Sequence, residues 1–251
     1  MYGVNQLARH DVERLCRLPI VVLTGAGVSA ESGIRIFRDA GGLWEGQRVE
    51  DVATPEAFQR NPVLVHDFYN LRRRQLVHGG LEPNAAHRAL VQLEREWPRD
   101  VLVVTQNVDD LHERAGARNL VHMHGELRKV RCERCGKTCA WETDLSVETP
   151  CVGCRASGGL RPDVVWFGEI PHAMDRIEAA LLECGLFLSV GTSGHVYPAA
   201  GFVRVARAGG AVTAEVNLEP SQNAEWFFEG RYGPATRGVP ELVEELLALV
   251  R

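Results

Sequence analysis

The chain has 251 residues, of which 45% are hydrophobic, so it can bury a substantial core and form one large domain plus a small module. A net charge of −5 offers no basic surface for nucleic acid, and no apolar run approaches the ~20 residues that a membrane helix needs. Residues 1–16 are too polar for a signal sequence, so we expect a cytoplasmic protein without a direct nucleic-acid or membrane partner.

Short apolar runs alternate with helical patterns along the chain. The predicted strands are IVVLTG (20–25), VLVVTQ (101–106), LFLSVG (186–191) and AVTAEVN (211–217), and the clearest predicted helices are 84–97, 198–209 and 240–250. Apolar strands separated by helices are typical of a parallel sheet that is covered on both faces. The sequence therefore predicts an α/β fold, interrupted from about 128 to 160 by an inserted module that is poor in apolar runs.

The first predicted strand ends in TGAG, where two glycines open a helix-like segment. Backbone N–H groups at such a turn can bind a phosphate at the carboxyl edge of a parallel sheet. The glycines lie at Gly25, Gly27 and Gly33, however, and this spacing differs from the G-x-G-x-x-G of ordinary NAD dehydrogenases. A tight turn that needs glycine for steric reasons alone is the alternative interpretation.

A second polar segment, TQNVDDLHERAG, follows the predicted strand VLVVT. Gln106, Asn107 and Asp109 offer amide and carboxylate groups suited to a ribose or a carboxamide, although capping of the next helix would also explain them. His122 and His124 come shortly afterwards in VHMHGEL and would share one face of an extended chain. Either histidine could be catalytic or structural.

Four of the seven cysteines form two pairs with the spacing of zinc knuckles. Cys132 and Cys135 form the first pair, and Cys151 and Cys154 form the second. Four thiolates fill a tetrahedral zinc shell and leave no position for water or substrate, so the pattern predicts one structural zinc ion. Cys139 lies nearby but fits neither pair.

The motifs GAGVSAESGIRIFR, TQNVD, HGEL, the two cysteine pairs, VVWFGE and GTS occur in an order that resembles the sirtuins, which are NAD-dependent protein deacylases. The resemblance implies a Rossmann-like domain formed by 1–127 and 161–251. It also implies a zinc-binding module at 128–160, with part of 36–80 as a further portion of the small domain. NAD and an acyl-lysine protein or peptide would enter the cleft between the two domains.

The resemblance also assigns roles to single residues. The residues implied for NAD are Gly25, Ala26, Gly27 and Ser29 at the pyrophosphate, Phe37, Arg38 and Trp44 in a loop over the nicotinamide ribose, Gln106, Asn107 and Asp109 at the ribose and nicotinamide, and Gly191, Thr192, Ser193, Asn217 and Ala235 along the rest of the dinucleotide. Val164, Trp166, Phe167 and Gly168 would pair with the substrate peptide by strand addition.

His124 matches the general base of the family, and His122 is then the structural histidine of the pair. In the implied reaction the acyl oxygen displaces nicotinamide, and a ribose hydroxyl loses its proton in order to attack the resulting imidate. Free lysine, nicotinamide and O-acyl-ADP-ribose are the products. A mono-ADP-ribosyltransferase on the same fold is the alternative function.

The stretch DFYNLRRR matches the Tyr-x-x-Arg pair of the desuccinylase and demalonylase subgroup. If 63–77 is helical, Tyr69 and Arg72 lie on one face and could bind the carboxylate of a succinyl or malonyl group, with acetyl also accepted. The alternative is a solvated basic turn, because Arg73 and Arg74 adjoin and runs of charge usually face water.

Overall fold

The computed structural model describes residues 15–34, 43–44 and 47–251. Its strands are β1 (Ile20–Thr24), β2 (Leu43–Trp44), β3 (Gln47–Arg48), β4 (Val101–Thr105), β5 (Leu120–His122), β6 (Gly125–Cys132), β7 (Thr138–Ala140), β8 (Leu160–Val164), β9 (Leu186–Val190), β10 (Val212–Asn217) and β11 (Glu229–Tyr232). Its α-helices are α1 (Ala26–Ser29), α2 (Val49–Val52), α3 (Pro55–Arg60), α4 (Pro62–His78), α5 (Ala85–Glu96), α6 (Leu111–Ala115), α7 (Met174–Glu183), α8 (Phe202–Ala208) and α9 (Ala235–Ala248).

Six parallel strands form the large sheet in the order β11-β10-β9-β1-β4-β5. The chain runs outward from β1 through β4 to β5, and then returns to β9 on the other side of β1 before running outward through β10 to β11. This is the strand order of a Rossmann-like fold, and its switch point lies between β1 and β9. The predicted α/β class is therefore confirmed.

Each face of the large sheet is buried beneath helices. Alternate strand residues such as Val22 and Leu188 pack with α5 and α9, whereas Leu23 and Phe187 pack on the opposite face with α7 and α8. Because both faces are covered, the strands are apolar without alternation. The large sheet and the helices on its two faces therefore form three layers.

A second, three-stranded antiparallel sheet has the order β7-β6-β8. Helices α2, α3 and α4 pack against it, and their apolar side chains form one cluster with Leu127, Val164 and Trp166. The small sheet takes in β6 from Gly125 and all of β8, so it extends past both ends of the predicted module 128–160. The zinc knuckles lie at the far end of this sheet, beside Val130 and Leu160.

Two predicted helices differ from the structure in their bounds. The predicted helix 198–209 becomes α-helical only at Phe202, as α8, after a short 3-10 turn at Ala199–Gly201. The predicted helix 240–250 begins five residues earlier, as α9, and contains Pro240 within its first turns. Pro240 is the sixth residue of this helix, so the helix lacks the hydrogen bond that an N–H at this position would donate to the Thr236 carbonyl. Over the described ranges, no helix has both the length and the apolar character that crossing a bilayer requires.

Candidate active site

A cavity of about 520 Å³ lies between the carboxyl edge of the large sheet and strand β8 of the small sheet. The predicted site residues that line it are Gly25, Ala26, Gly27, Tyr69, Gln106, Asn107, Asp109, His124, Val164, Trp166, Phe167, Gly168, Gly191, Thr192, Ser193 and Asn217. Residues that follow six separate strands (β1, β4, β5, β8, β9 and β10) therefore meet in one cavity. Phe37, Arg38 and the side chain of Trp44 lie outside the described residues.

The glycines of the TGAG turn pack against the loop that follows β9. The Gly27 N–H donates to the Gly191 carbonyl at 2.8 Å, and a Cβ on Gly27 would lie 2.7 Å from the Gly191 Cα. Gly191 has φ +63°, which strains any residue with a side chain. The two loops therefore touch at the switch point with bare backbone on both sides. Such a cradle suits the pyrophosphate of a dinucleotide.

Asn107, Ser29 and Asp109 form a buried hydrogen-bonded row beside this cradle. The Asn107 amide donates to the Gly25 carbonyl at 3.2 Å and to Ser29 Oγ at 3.1 Å, and Ser29 Oγ donates to Asp109 Oδ2 at 3.0 Å. Burial raises the pKa of Asp109 to about 6, although hydrogen bonds from Leu111 and Ser29 oppose the rise. Ser29 does not itself line the cavity but supports two residues that do.

Two buried histidines behind this row received no role from the sequence. His87 Nε2 lies 3.4 Å from Ser29 Oγ, and His112 Nε2 lies 3.0 Å from Thr24 Oγ1. Burial lowers the pKa of both imidazoles, so both are neutral at pH 7. Each occurs within a helical pattern whose period predicts burial, and nothing else in the sequence distinguishes them from core residues.

His124 presents one ring nitrogen to the cavity. Its Nδ1 lies 3.2 Å from the Gln106 carbonyl, which can only accept, so Nδ1 carries the proton and Nε2 keeps its lone pair. Burial lowers the pKa of His124, and nearby His172 lowers it further, while the Gln106 hydrogen bond opposes both. His124 is therefore a neutral imidazole at pH 7, with an orientation suited to accepting a proton.

The segment after β8 is held by a network around Trp166. The Arg161 guanidinium, 1% exposed, stacks on the indole at 3.2 Å and forms two hydrogen bonds with Glu169 at 2.8 and 2.9 Å. Glu169 in turn accepts from the Trp166 backbone N–H at 2.8 Å. Phe167 is half exposed beside the cavity, and Gly168 has φ +89°. This fixed edge could receive an extended peptide.

The predicted pair Tyr69 and Arg72 lies on α4. Tyr69 is buried on the cavity wall, and its hydroxyl accepts a hydrogen bond from Trp166 Nε1 at 2.9 Å. Burial raises the pKa of this phenol. The Arg72 guanidinium covers the ring of Phe68 at 3.2 Å and does not line the cavity among the described residues.

The alternative of a solvated basic turn is wrong for Arg73. This side chain is 1% exposed and donates to the carbonyls of Leu127 and Thr143, which joins α4 to the small sheet. Arg74 alone faces solvent, 3.5 Å from Asp144. The helical period puts Arg73 on the buried face, and carbonyl acceptors replace the water that its charge loses.

The four paired cysteines form one cluster, with Sγ atoms within 4.8 Å of one another. The Sγ atoms of Cys132 and Cys154 lie 3.8 Å apart, and those of Cys135 and Cys151 lie 3.7 Å apart. The Gly153 backbone N–H donates to Cys151 Sγ at 3.3 Å, a contact that favours the thiolate that a metal needs. The donor set fits tetrahedral zinc, and Cys139 lies outside it.

Several residues at the cavity were not anticipated, and three predicted residues among those described, Ser29, Arg72 and Ala235, do not line it. The additional lining residues are Ile34, Ala53, Val108, Val165, Glu169, Pro171, His195, Val196, Tyr197, Glu219, Pro220, Ser221 and Gln222. Residues 219–222 follow β10, so the rule that ligands bind at strand carboxyl ends could have identified them. Ala235 is buried at the start of α9 and does not line the cavity.

Comparisons with known proteins agree on one family. The model of the Sir2 family matches residues 25–198. An NAD-dependent protein deacylase from Salmonella typhimurium is 58% identical over 228 residues, which cover 91% of this chain and 84% of that protein. A crystal structure of a Sir2 homologue in complex with NAD is 36% identical, with a TM-score of 0.84 and coverage of 97% and 95%. A Sir2 structure bound to an acetylated peptide is 26% identical, with a TM-score of 0.78 and coverage of 95% and 98%.

Proposed function

This chain belongs to the Sir2 family, and on that premise we propose that it removes acyl groups from protein lysine side chains at the expense of NAD. The single observation that carries the proposal is the position of His124. It lies on the cavity wall with Nδ1 held by the Gln106 carbonyl and Nε2 left as a base. The glycine cradle for a dinucleotide and the peptide edge at 164–168 line the same cavity.

NAD supplies the electrophilic ribose carbon and nicotinamide as the leaving group. The acyl oxygen of the substrate takes the place of nicotinamide at that carbon, and His124 Nε2 then removes a proton from a ribose hydroxyl. An imidazole whose pKa is already lowered is unprotonated at pH 7 and can act at once. The deprotonated ribose oxygen would attack the imidate carbon, and one water molecule would be consumed as the lysine amine departs, so the products are nicotinamide, free lysine and O-acyl-ADP-ribose.

We further propose that the acyl pocket accepts succinyl and malonyl groups as well as acetyl. Tyr69 offers a phenolic hydroxyl to the cavity from a wall that is otherwise largely apolar, with Val164, Trp166 and Phe167 nearby. Arg72 is one helical turn away on α4, and its guanidinium would have to leave the ring of Phe68 in order to form charge-assisted hydrogen bonds with a carboxylate in the cavity. A carboxylate-bearing acyl group would then find two partners, whereas an acetyl group needs neither.

One assay tests the proposal. The purified protein is incubated with NAD and lysine peptides that carry acetyl, malonyl, succinyl or glutaryl groups, and nicotinamide and deacylated peptide are quantified together. We expect one nicotinamide per lysine freed, with turnover only when both substrates are present. Transfer of labelled ADP-ribose to protein without any need for acyl-lysine would instead support the mono-ADP-ribosyltransferase alternative.

A further inference from the structure

His122 and Glu113 form a half-buried ion pair directly behind the cavity wall. His122 Nε2 lies 2.7 Å from Glu113 Oε1, and His122 Nδ1 lies 3.2 Å from the Asn107 carbonyl. Both partners are acceptors. An imidazolium can donate to both of them at once, whereas a neutral imidazole can donate to only one.

The carbonyl that His122 contacts belongs to a loop that the site depends on. Gln106 and Asn107 have consecutive carbonyls, of which the first contacts His124 Nδ1 and the second contacts His122 Nδ1, each at 3.2 Å. The Asn107 side chain lines the cavity and donates to the Gly25 carbonyl of the glycine cradle. A change at His122 therefore reaches both the proposed base and the dinucleotide cradle through the two peptide units that flank Asn107.

We propose that His122 is a positioning residue, whose imidazolium, anchored by Glu113, fixes the Asn107 carbonyl and so keeps the NAD cavity in its binding form. This inference rests on the proposed function. His122 does not line the cavity, so it would influence bound NAD only through Asn107.

The titratable groups that face His122 come from three parts of the chain. Glu113 and His112 lie on α6, Glu126 lies on β6, and Asp109 lies in the loop after β4. Glu126 forms an ion pair with Lys129, and Asp109 accepts hydrogen bonds from Ser29 and Leu111. Burial lowers the pKa of His122, but the Glu113 hydrogen bond and the charges of Glu113 and Glu126 outweigh burial, and the net pKa lies above the ordinary value.

Deprotonation of His122 breaks its hydrogen bond to the Asn107 carbonyl. Glu113 stays ionised because hydrogen bonding to His122 keeps its pKa below the ordinary value despite burial. The remaining imidazole proton therefore stays on Nε2, and the Nδ1 lone pair then faces the Asn107 carbonyl oxygen. Two acceptors repel each other, so the carbonyl turns away. Because the folded-state pKa is raised, this contribution is complete below about pH 6.5 and is lost as the pH rises through the folded-state pKa.

Calorimetric titration of the zinc-loaded protein with NAD between pH 6 and 9 tests the inference. We expect the Kd of the wild-type protein to rise about three- to tenfold across the titration of His122, the effect of losing one such hydrogen bond. In Glu113→Gln the glutamine amide can donate to His122 Nε2, so a neutral His122 keeps its proton on Nδ1. The rise of the Kd for NAD with pH should then disappear. In His122→Phe the ring volume remains without a donor, and NAD binds weakly at every pH.

Glu82→Gln is the matched control, because Glu82 pairs with Arg114, the neighbour of Glu113 on α6, and is not among the groups that shift the pKa of His122. Its pH profile should follow that of the wild-type protein. The KM for the acyl-peptide should stay within twofold in all variants, since the peptide edge does not involve Asn107. If Kd depended on pH in the same way in the wild-type protein, Glu113→Gln and His122→Phe, this inference would be overturned but the proposed function would not. Absence of NAD binding by the wild-type protein at any pH would overturn the proposed function along with it.

Discussion

Gly27 and Gly191 are in backbone contact across the switch point of the large sheet. The Gly27 N–H donates to the Gly191 carbonyl, and a Cβ on Gly191 would lie 2.6 Å from the carbonyl carbon of Gly27. No side chain fits between the two loops. The width of the dinucleotide cradle is therefore set by glycine at both positions.

We predict that Gly191→Ala lowers NAD affinity by more than tenfold and also lowers the melting temperature, because the added methyl group must push the two loops apart. Gly80→Ala is the control, since Gly80 has φ +64° against +63° for Gly191 but nothing within 4 Å of its Cβ position. Both variants carry the backbone strain of about 1 kcal/mol. Equal NAD affinity in the two variants would contradict the steric account.

Replacement of His124 by asparagine should lower turnover by about 10²- to 10⁴-fold, the usual contribution of a general base. Asparagine can still donate to the Gln106 carbonyl, so NAD affinity should change less than fivefold. Steady-state kinetics and calorimetry separate the two effects. In the wild-type protein, the loss of turnover at acidic pH should occur below pH 6.5, because burial lowers the pKa of His124. A variant that kept a tenth of wild-type turnover would exclude the role of base.

Asp109→Asn should stabilise the protein at pH 8 while lowering its activity. Burial raises the pKa of Asp109 to about 6, so the folded state favours the protonated form, and stability present below about pH 4 is lost as the pH rises through 6. The cost of the buried charge is at most on the order of 3 kcal/mol at pH 8. Melting temperatures should differ most at pH 8 and converge only below about pH 4, where Asp109 is protonated in both the folded and the unfolded state. A constant difference at both pH values would show that the charge is not the cause.

Loss of one zinc thiolate should act through folding rather than through the reaction. We expect Cys151→Ala to lose its metal and to melt at a lower temperature, because binding energy at a closed site is folding energy. Cys139→Ala lies in the same small sheet but outside the four-cysteine cluster, so it should retain zinc. Metal content and thermal melting provide the measurement. Full activity in a folded, metal-free protein would contradict this expectation.

Acyl choice should depend on Arg72. Arg72→Met keeps much of the side-chain length and removes the charge, so the efficiency with succinyl-lysine should fall by roughly ten- to more than a hundredfold, while that with acetyl-lysine changes little. Arg74→Met makes the same replacement at an exposed position two residues away. The ratio of succinyl to acetyl kcat/KM is the quantity to measure. An unchanged ratio would show that Arg72 packs on Phe68 and does not bind the acyl carboxylate.

The sequence was sufficient for the elements whose period or spacing is strong. Helix α5 and strands β1, β4, β9 and β10 lie within one residue of their predicted bounds, because apolar periodicity and the Asn84 cap are local signals. Strand β11 has no such signal, since Glu229 and Arg231 interrupt it. Their charges are satisfied by each other and by Glu245 of α9, a partner far away in the chain.

The site residues that could be found from sequence are those at the ends of strands. His87 and His112 could not be found, because their importance lies in contacts with Ser29 and Thr24, which only the folded chain brings near. Arg73 is a second case in which the local sequence misleads. An arginine within a basic run is expected to be exposed to solvent, whereas Arg73 is buried in the structure. Long-range hydrogen-bond acceptors decide such cases, and no local pattern contains them.

Trp166 belongs to both of the recognition surfaces proposed above. Its backbone N–H donates to Glu169, which accepts from Arg161 at the proposed peptide edge, whereas its indole N–H donates to Tyr69 of the proposed acyl pocket. Mutations that retune one surface therefore shift the other, and their effects will be epistatic rather than additive. Engineering this protein for a new acyl chain would require selecting Tyr69 and Arg161 substitutions together. For the same reason, natural drift in acyl preference would carry changes in peptide sequence preference with it.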